Sequence, residues 1–116
     1  MSGSPESAES KRRYPRYPLD IRITVRVFRS GETISLWGRT SEIAQDGVGA
    51  TLTGELEPNE VVSIELAVPL ATYPLKFRAL VRYRMGLRHG FEFLIRNPEQ
   101  RESINRLCEM LALGTR

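Results

Sequence analysis

The sequence predicts an all-β domain closed by one C-terminal helix. Three observations predict it. Apolar and polar residues alternate strictly in several short runs. Turn-forming residues separate those runs. After Asn97 the apolar spacing changes from period two to helical period.

The elements follow in order. Residues 1–10 are rich in Ser, Gly and Glu and hold no apolar stretch, so they are expected to be a disordered tail and not a signal peptide. Residues 11–18 read KRRYPRYP. Pro15 and Pro18 exclude a helix or a central strand, which leaves a basic, flexible, extended arm. The folded domain is expected over 19–113. Ile21, Ile23, Val25 and Val27 share one face of a half-buried first strand, and Ser30-Gly31 ends it as a hairpin turn. A second strand is expected from Thr33 to about Ile43, a turn at Gln45-Asp46-Gly47, and a short strand over Val48 to Leu52. Pro58-Asn59 marks the next turn. Val62, Ile64, Leu66 and Val68 alternate in a strand ended by Pro69. Leu75, Phe77, Ala79, Val81 and Tyr83 alternate in the clearest strand of the chain. Gly86 marks a turn, and His89, Phe91 and Phe93 line one face of the last strand. Asn97 then caps a helix over about 98–113, with Pro98 at its first position and Gln100 completing a capping box. Ile104, Leu107, Cys108 and Leu111 form its apolar stripe. Five or six antiparallel strands with short loops remove exposed edges by closing into a barrel. The helix would then cover one open end.

Length and inventory limit the function. At 116 residues the chain fits one domain. No run of about 18 apolar residues could span a membrane, and a cytoplasmic protein follows as the default. Cys108 is the sole cysteine, so neither an internal disulfide nor a cysteine metal cluster can form. One His, one Cys and two Asp leave little for catalysis, and no phosphate-binding glycine motif or nucleophile elbow is present. The chain therefore reads as a non-enzyme with no metal. His89 reads as a half-buried packing or surface residue, and Cys108 as a small core hydrophobe.

The net charge is only +3, but of the 17 basic residues all except Lys11 and Lys76 are Arg. Guanidinium groups fork onto phosphate oxygens and stack on aromatic planes. A codon bias toward Arg is an equally good account of the composition, so position matters more. Two constellations have it. Arg12, Arg13 and Arg16 lie on the arm just before the first strand, where several guanidiniums could wrap a doubly charged anion. Glu42 to Gly49, reading EIAQDGVG, lies at a strand–turn–strand junction, where Gly47 and Gly49 allow close backbone approach. Tyr14, Tyr17, Trp37 and Tyr83 are candidate stacking partners. The plainer readings are a solvated basic tail, an ordinary turn and rim-packing aromatics.

Taken together, Arg12-x-x-x-Arg16, the Glu42–Gly49 turn, the Leu56–Leu66 turn and strand, and Arg88–Phe93 resemble the PilZ family of bacterial cyclic di-GMP receptors. The likeness runs over about Lys11 to Leu113. It implies a six-stranded antiparallel PilZ-type β-barrel with a C-terminal α-helix, and cyclic di-GMP as ligand. By the resemblance, Arg12 and Arg16 match the arginine pair that grips phosphate and stacks on guanine, and Arg13 adds or substitutes a contact. Gly47 matches the glycine of the second motif, Asp/Asn-x-Ser-x-x-Gly, and Gly49 the glycine that follows it. Two positions depart from that motif: Glu42 stands for Asp or Asn, and Ala44 for Ser. Glu42 keeps a carboxylate acceptor one methylene farther out, and Ala44 lacks a hydroxyl.

The resemblance implies a stand-alone cyclic di-GMP signalling receptor. Ligand would order residues 11–18 onto the barrel, and the new surface would meet an unidentified protein partner in trans. Glu42 and Ala44 keep a second reading open, a PilZ-fold interaction module that no longer binds nucleotide. A single-stranded nucleic-acid barrel is a third, disfavoured by the low net charge and by Glu55, Glu57 and Glu60.

Overall fold

A computed structural model of the chain describes residues 13–69 and 71–114. Seven strands and one helix form: β1 (Tyr17–Pro18), β2 (Arg22–Arg29), β3 (Glu32–Ala44), β4 (Gly47–Leu52), β5 (Val61–Leu66), β6 (Leu75–Met85), β7 (Arg88–Leu94) and α1 (Pro98–Gly114). Six of the strands close a barrel in the order β3-β2-β5-β6-β7-β4, with β4 returning to β3, and every pairing is antiparallel. β1 is added to β3 outside this ring, with Tyr17 opposite Ile43 and Pro18 opposite Glu42.

The alternation seen in the sequence becomes the inside of the barrel. Ile23, Val25 and Val27 from β2 meet Val62, Ile64 and Leu66 from β5, Phe77, Ala79 and Val81 from β6, and Phe91 and Phe93 from β7. Phe77 and Phe93 pack with ring centroids 5.2 Å apart. The β2–β3 hairpin turns on Ser30 and Gly31, with φ of 51° and 80°. Two successive positive φ values match the right-handed twist of the flanking strands.

Two devices plug the ends. At one end α1 buries Ile104, Leu107 and Cys108, each worth roughly 1.5–3 kcal/mol if it behaves as a buried aliphatic side chain. Asn97 Oδ1 accepts from the Gln100 amide at 2.9 Å, as its sequence position predicts. The reciprocal bond is shifted by one residue: Gln100 Oε1 accepts from the Arg96 amide rather than from that of Asn97. At the other end Leu56 drops fully into the barrel, and His89 holds it.

His89 is not the half-buried or surface residue that its sequence suggests. It is fully buried. Nδ1 donates to the Leu87 carbonyl at 2.8 Å, and Nε2 accepts from the Leu56 amide at 3.0 Å. Both ring nitrogens are satisfied, which is how a polar ring is accommodated in a core. Burial pulls its pKa below the ordinary 6.5, against the backbone bond from Leu87, which favours the charged form. Cys108 behaves as a core hydrophobe, and burial raises its thiol to about 11. The predicted fourth strand, observed as β5, stops at Leu66 rather than Val68, and β6 runs on to Met85 beyond the expected Tyr83.

Candidate ligand-binding site

Residues just before the barrel are stitched to β3 by one buried hydroxyl. Thr40 is buried in β3. Its Oγ1 accepts from the Ile21 amide at 3.0 Å and donates to the Leu19 carbonyl. The Leu19 amide in turn donates to the Ser41 carbonyl at 3.1 Å. With β1 paired to β3, the chain from Tyr17 onward is fixed against the strand that carries Glu42. The arm was expected to be extended and flexible through Pro18; in the structure its last two residues are already strand.

That anchoring delivers Arg16. Its Nη1 lies 3.0 Å from Glu42 Oε2. Beside this pair a trough of ≈ 380 Å³ crosses β3, β4, β7 and β6, lined by Arg16, Glu42, Ala44, Asp46, Gly47 and Gly49 on one side and by Arg82, Tyr83, Gly90 and Glu92 on the other. Gly49 pairs with Gly90 across β4 and β7, so bare backbone forms the middle. A β-carbon at Gly47 would collide with the Phe91 carbonyl oxygen, and one at Gly90 with the Tyr83 ring. Strand contact there requires glycine.

The turn before β4 is held from three directions. The Phe93 amide donates to the Asp46 carbonyl at 2.9 Å. Arg101 of α1 donates to the Gln45 carbonyl at 2.8 Å. Gly47 pairs with both Ala44 and Glu92. The turn is therefore preformed rather than loose.

Each sequence-predicted residue has a defined fate. Arg16, Glu42, Ala44 and Gly47 come together in the trough, with Gly49 beside them. Arg13 is exposed and does not line it. Arg12 lies outside the described residues. Of the four aromatic candidates, only Tyr83 lines the trough. Tyr14 is half-buried, and Tyr17 packs against the core. Trp37 sits on the outer face of β3 with the Arg22 guanidinium 5.2 Å from its ring centroid.

Sequence reasoning missed Arg82, Glu92 and Gly90. Arg82 and Glu92 form an ion pair at 3.2 Å. The hidden cause is a bulge in β6 between Val81 and Tyr83. A second bulge, between Thr40 and Glu42 in β3, lies on the opposite side of the trough. Bulges turn side chains off the regular alternation and gather near binding sites. Among the described residues, no group of three His, Cys, Asp or Glu side chains could hold a metal ion, and no helix is long and apolar enough to cross a membrane.

Comparison with known proteins agrees with this architecture. No curated protein matches the sequence. Solved structures do. The PilZ domain of YcgR from Escherichia coli, solved with c-di-GMP, superposes with a TM-score of 0.70 at 19% identity, covering 91% of this chain and 95% of that one. The PilZ domain of CeSA from a cellulose-synthesizing bacterium superposes at 0.65 with 23% identity, covering 80% and 93%. The K. pneumonia MrkH–c-di-GMP complex superposes at 0.68 with 17% identity, covering 90% of this chain and 54% of that one. At these identities the likeness speaks for the barrel and helix alone. The family profile of the PilZ domain, however, matches residues 10–110, from the arm through most of α1, and on that match the chain belongs to the PilZ domain family.

Proposed function

We propose that the chain is a cyclic di-GMP receptor of the PilZ type, a binding and signalling domain rather than an enzyme, acting in the cytoplasm on a protein partner in trans. The observation that carries this reading is Arg16 beside the glycine turn, 3.0 Å from Glu42. An arginine from outside the barrel and a backbone-lined trough in its wall make one site. Guanidiniums suit the phosphates and purine faces of such a ligand, and the carboxylate of Glu42 can accept from guanine N–H groups. The YcgR PilZ domain and MrkH were both solved with c-di-GMP, which supports the choice of ligand.

Binding would require Arg16 to exchange a carboxylate for a phosphate. The pair is exposed, at 42% and 31% of the side-chain surface, so its loss costs little. Residues Tyr17 and Pro18 are strand before any ligand arrives. An ordering step over 11–18 would therefore leave out its last two residues.

Isothermal titration calorimetry with cyclic di-GMP tests the proposal. Saturable heat, with shifted backbone amides at Arg16 and Gly47, is the expected result. Absence of both at sub-millimolar ligand would remove it.

One observation favours a second reading. Arg16 and Glu42 already satisfy one another, and Ala44 offers no hydroxyl, so the site is complete without a nucleotide. An interaction module would use this closed form directly. That reading requires Arg12→Ala and Arg16→Ala to leave cellular function unchanged.

A further inference from the structure

Regular alternation in β6 would send Val81 inward, Arg82 outward and Tyr83 inward. The bulge breaks it. Val81 is buried, whereas Arg82 and Tyr83 are both exposed and both line the trough. A guanidinium and a phenol therefore stand side by side on one wall. Arg16 stands on the other, with β4 and β7 between them in barrel order.

The charges of the trough create a problem that this wall can solve. Its lining holds two guanidiniums, Arg16 and Arg82, against three carboxylates, Glu42, Asp46 and Glu92. A ligand with two phosphodiester charges meets net repulsion there unless both arginines turn to it. Arg82 is free to do so. Its pair with Glu92 is 3.2 Å long and mostly in water, at 61% and 47% exposure, so the bond is weak and readily exchanged. Arg84, two residues on, is different: it is 27% exposed, engaged by Glu55 and Glu57, and does not line the trough.

We propose that Arg82 is a ligand-binding residue, leaving Glu92 to hold a phosphate of cyclic di-GMP on the wall opposite Arg16. The inference rests on the receptor reading above. It assigns to the barrel itself a cation that the arm motif does not contain, and it makes Glu92 the group that holds Arg82 when the site is empty.

The test is calorimetric titration of cyclic di-GMP into the full chain and into Arg82→Ala, Arg82→Lys and Glu92→Gln, each with its melting curve. Arg82→Ala is expected to bind about ten- to a hundredfold more weakly, the loss of one charge-assisted contact, with melting unchanged because the ion pair is exposed. Arg82→Lys is expected to fall between it and the wild type, since ammonium keeps the charge but not the fork. Glu92→Gln is expected to bind more tightly, because it removes both the competitor for Arg82 and one repelling charge, and it serves if Arg82→Ala does not fold. Wild-type affinity in Arg82→Ala and Glu92→Gln, alongside a wild-type chain that binds, overturns the Arg82 assignment and leaves the receptor reading standing. A wild-type chain that gives no heat overturns both.

Discussion

Arg16 Nη1 and Glu42 Oε2, 26 residues apart in sequence, meet at 3.0 Å over the glycine turn. The contact joins the last free residue before β1 to the strand that β1 pairs with. It closes the candidate site with the protein's own charges. Under the proposed function, a ligand phosphate would compete with the Glu42 carboxylate for one guanidinium.

That competition separates affinity from stability in Arg16→Ala. An exposed ion pair contributes roughly 0–1 kcal/mol to folding, so the melting temperature should hardly move. A charge-assisted bond to phosphate is worth about 1.5–3 kcal/mol, so cyclic di-GMP should bind roughly ten- to more than a hundredfold more weakly. Calorimetry and thermal unfolding of the same sample check both halves.

Ala44→Ser should act in the opposite direction. Ala44 lines the trough, and the family motif places a serine there. One added hydrogen bond is worth roughly 0.5–1.5 kcal/mol net, which is a two- to thirteenfold gain in affinity. Combined with Glu42→Asp, which withdraws the carboxylate by one methylene, the gain should exceed that of either change alone. Titration of the three variants decides it; weaker binding in Ala44→Ser would mean that the motif geometry does not carry over to this chain.

The barrel was legible because β2, β5 and β6 keep the two-residue period over their buried spans, and the helix keeps its own. The arm and the glycine turn were legible as motifs, and the structure brings Arg16 and Gly47 together. Tyr83 was legible as a candidate stacking residue but not as an outward-facing one, and Arg82 was assigned no place in the site. The alternation of Leu75, Phe77, Ala79 and Val81 extrapolates to an inward Tyr83, and one extra residue in β6 reverses it. A bulge carries no composition signature in a single strand; it is set by the register that β7 imposes. Glu92 was hidden for the same reason, because its partner was assigned no place in the site. His89 misled because a polar ring on an apolar face has no visible partner until Leu56, 33 residues away, is folded over it.

Thr40→Val tests whether anchoring of the arm matters to the site. Valine fills the same space but leaves the buried Ile21 amide and the Leu19 carbonyl without their partner. Each unsatisfied buried group costs about 1–3 kcal/mol, so unfolding free energy should fall by roughly that amount or more. Because the same bonds seat the chain that leads to Arg16, ligand affinity should fall as well, although Thr40 does not line the trough. A stability loss with unchanged affinity would show that β1 alone positions Arg16.

The fold should weaken at mildly acid pH, through His89. In the unfolded chain its imidazole titrates near 6.5, and burial lowers that value in the barrel. Between the two values the unfolded chain takes up a proton that the folded chain refuses. Stability is therefore full above about 6.5 and declines as pH falls below it, by at most about 1.4 kcal/mol per pH unit until the depressed value is reached. The structural reason is direct: a proton on Nε2 removes the acceptor of the Leu56 amide and places a charge in the core, with the Arg84 charge disfavouring it further. His89 is the sole histidine, so no second imidazole confuses the window. Urea unfolding at pH 7.5 and 5.5 should give the lower midpoint at 5.5. His89→Gln keeps an acceptor for Leu56 but cannot take the proton, so its two midpoints should lie closer together even if both are lower. Equal midpoints in the wild-type chain would mean that the Leu56 plug does not depend on a neutral ring.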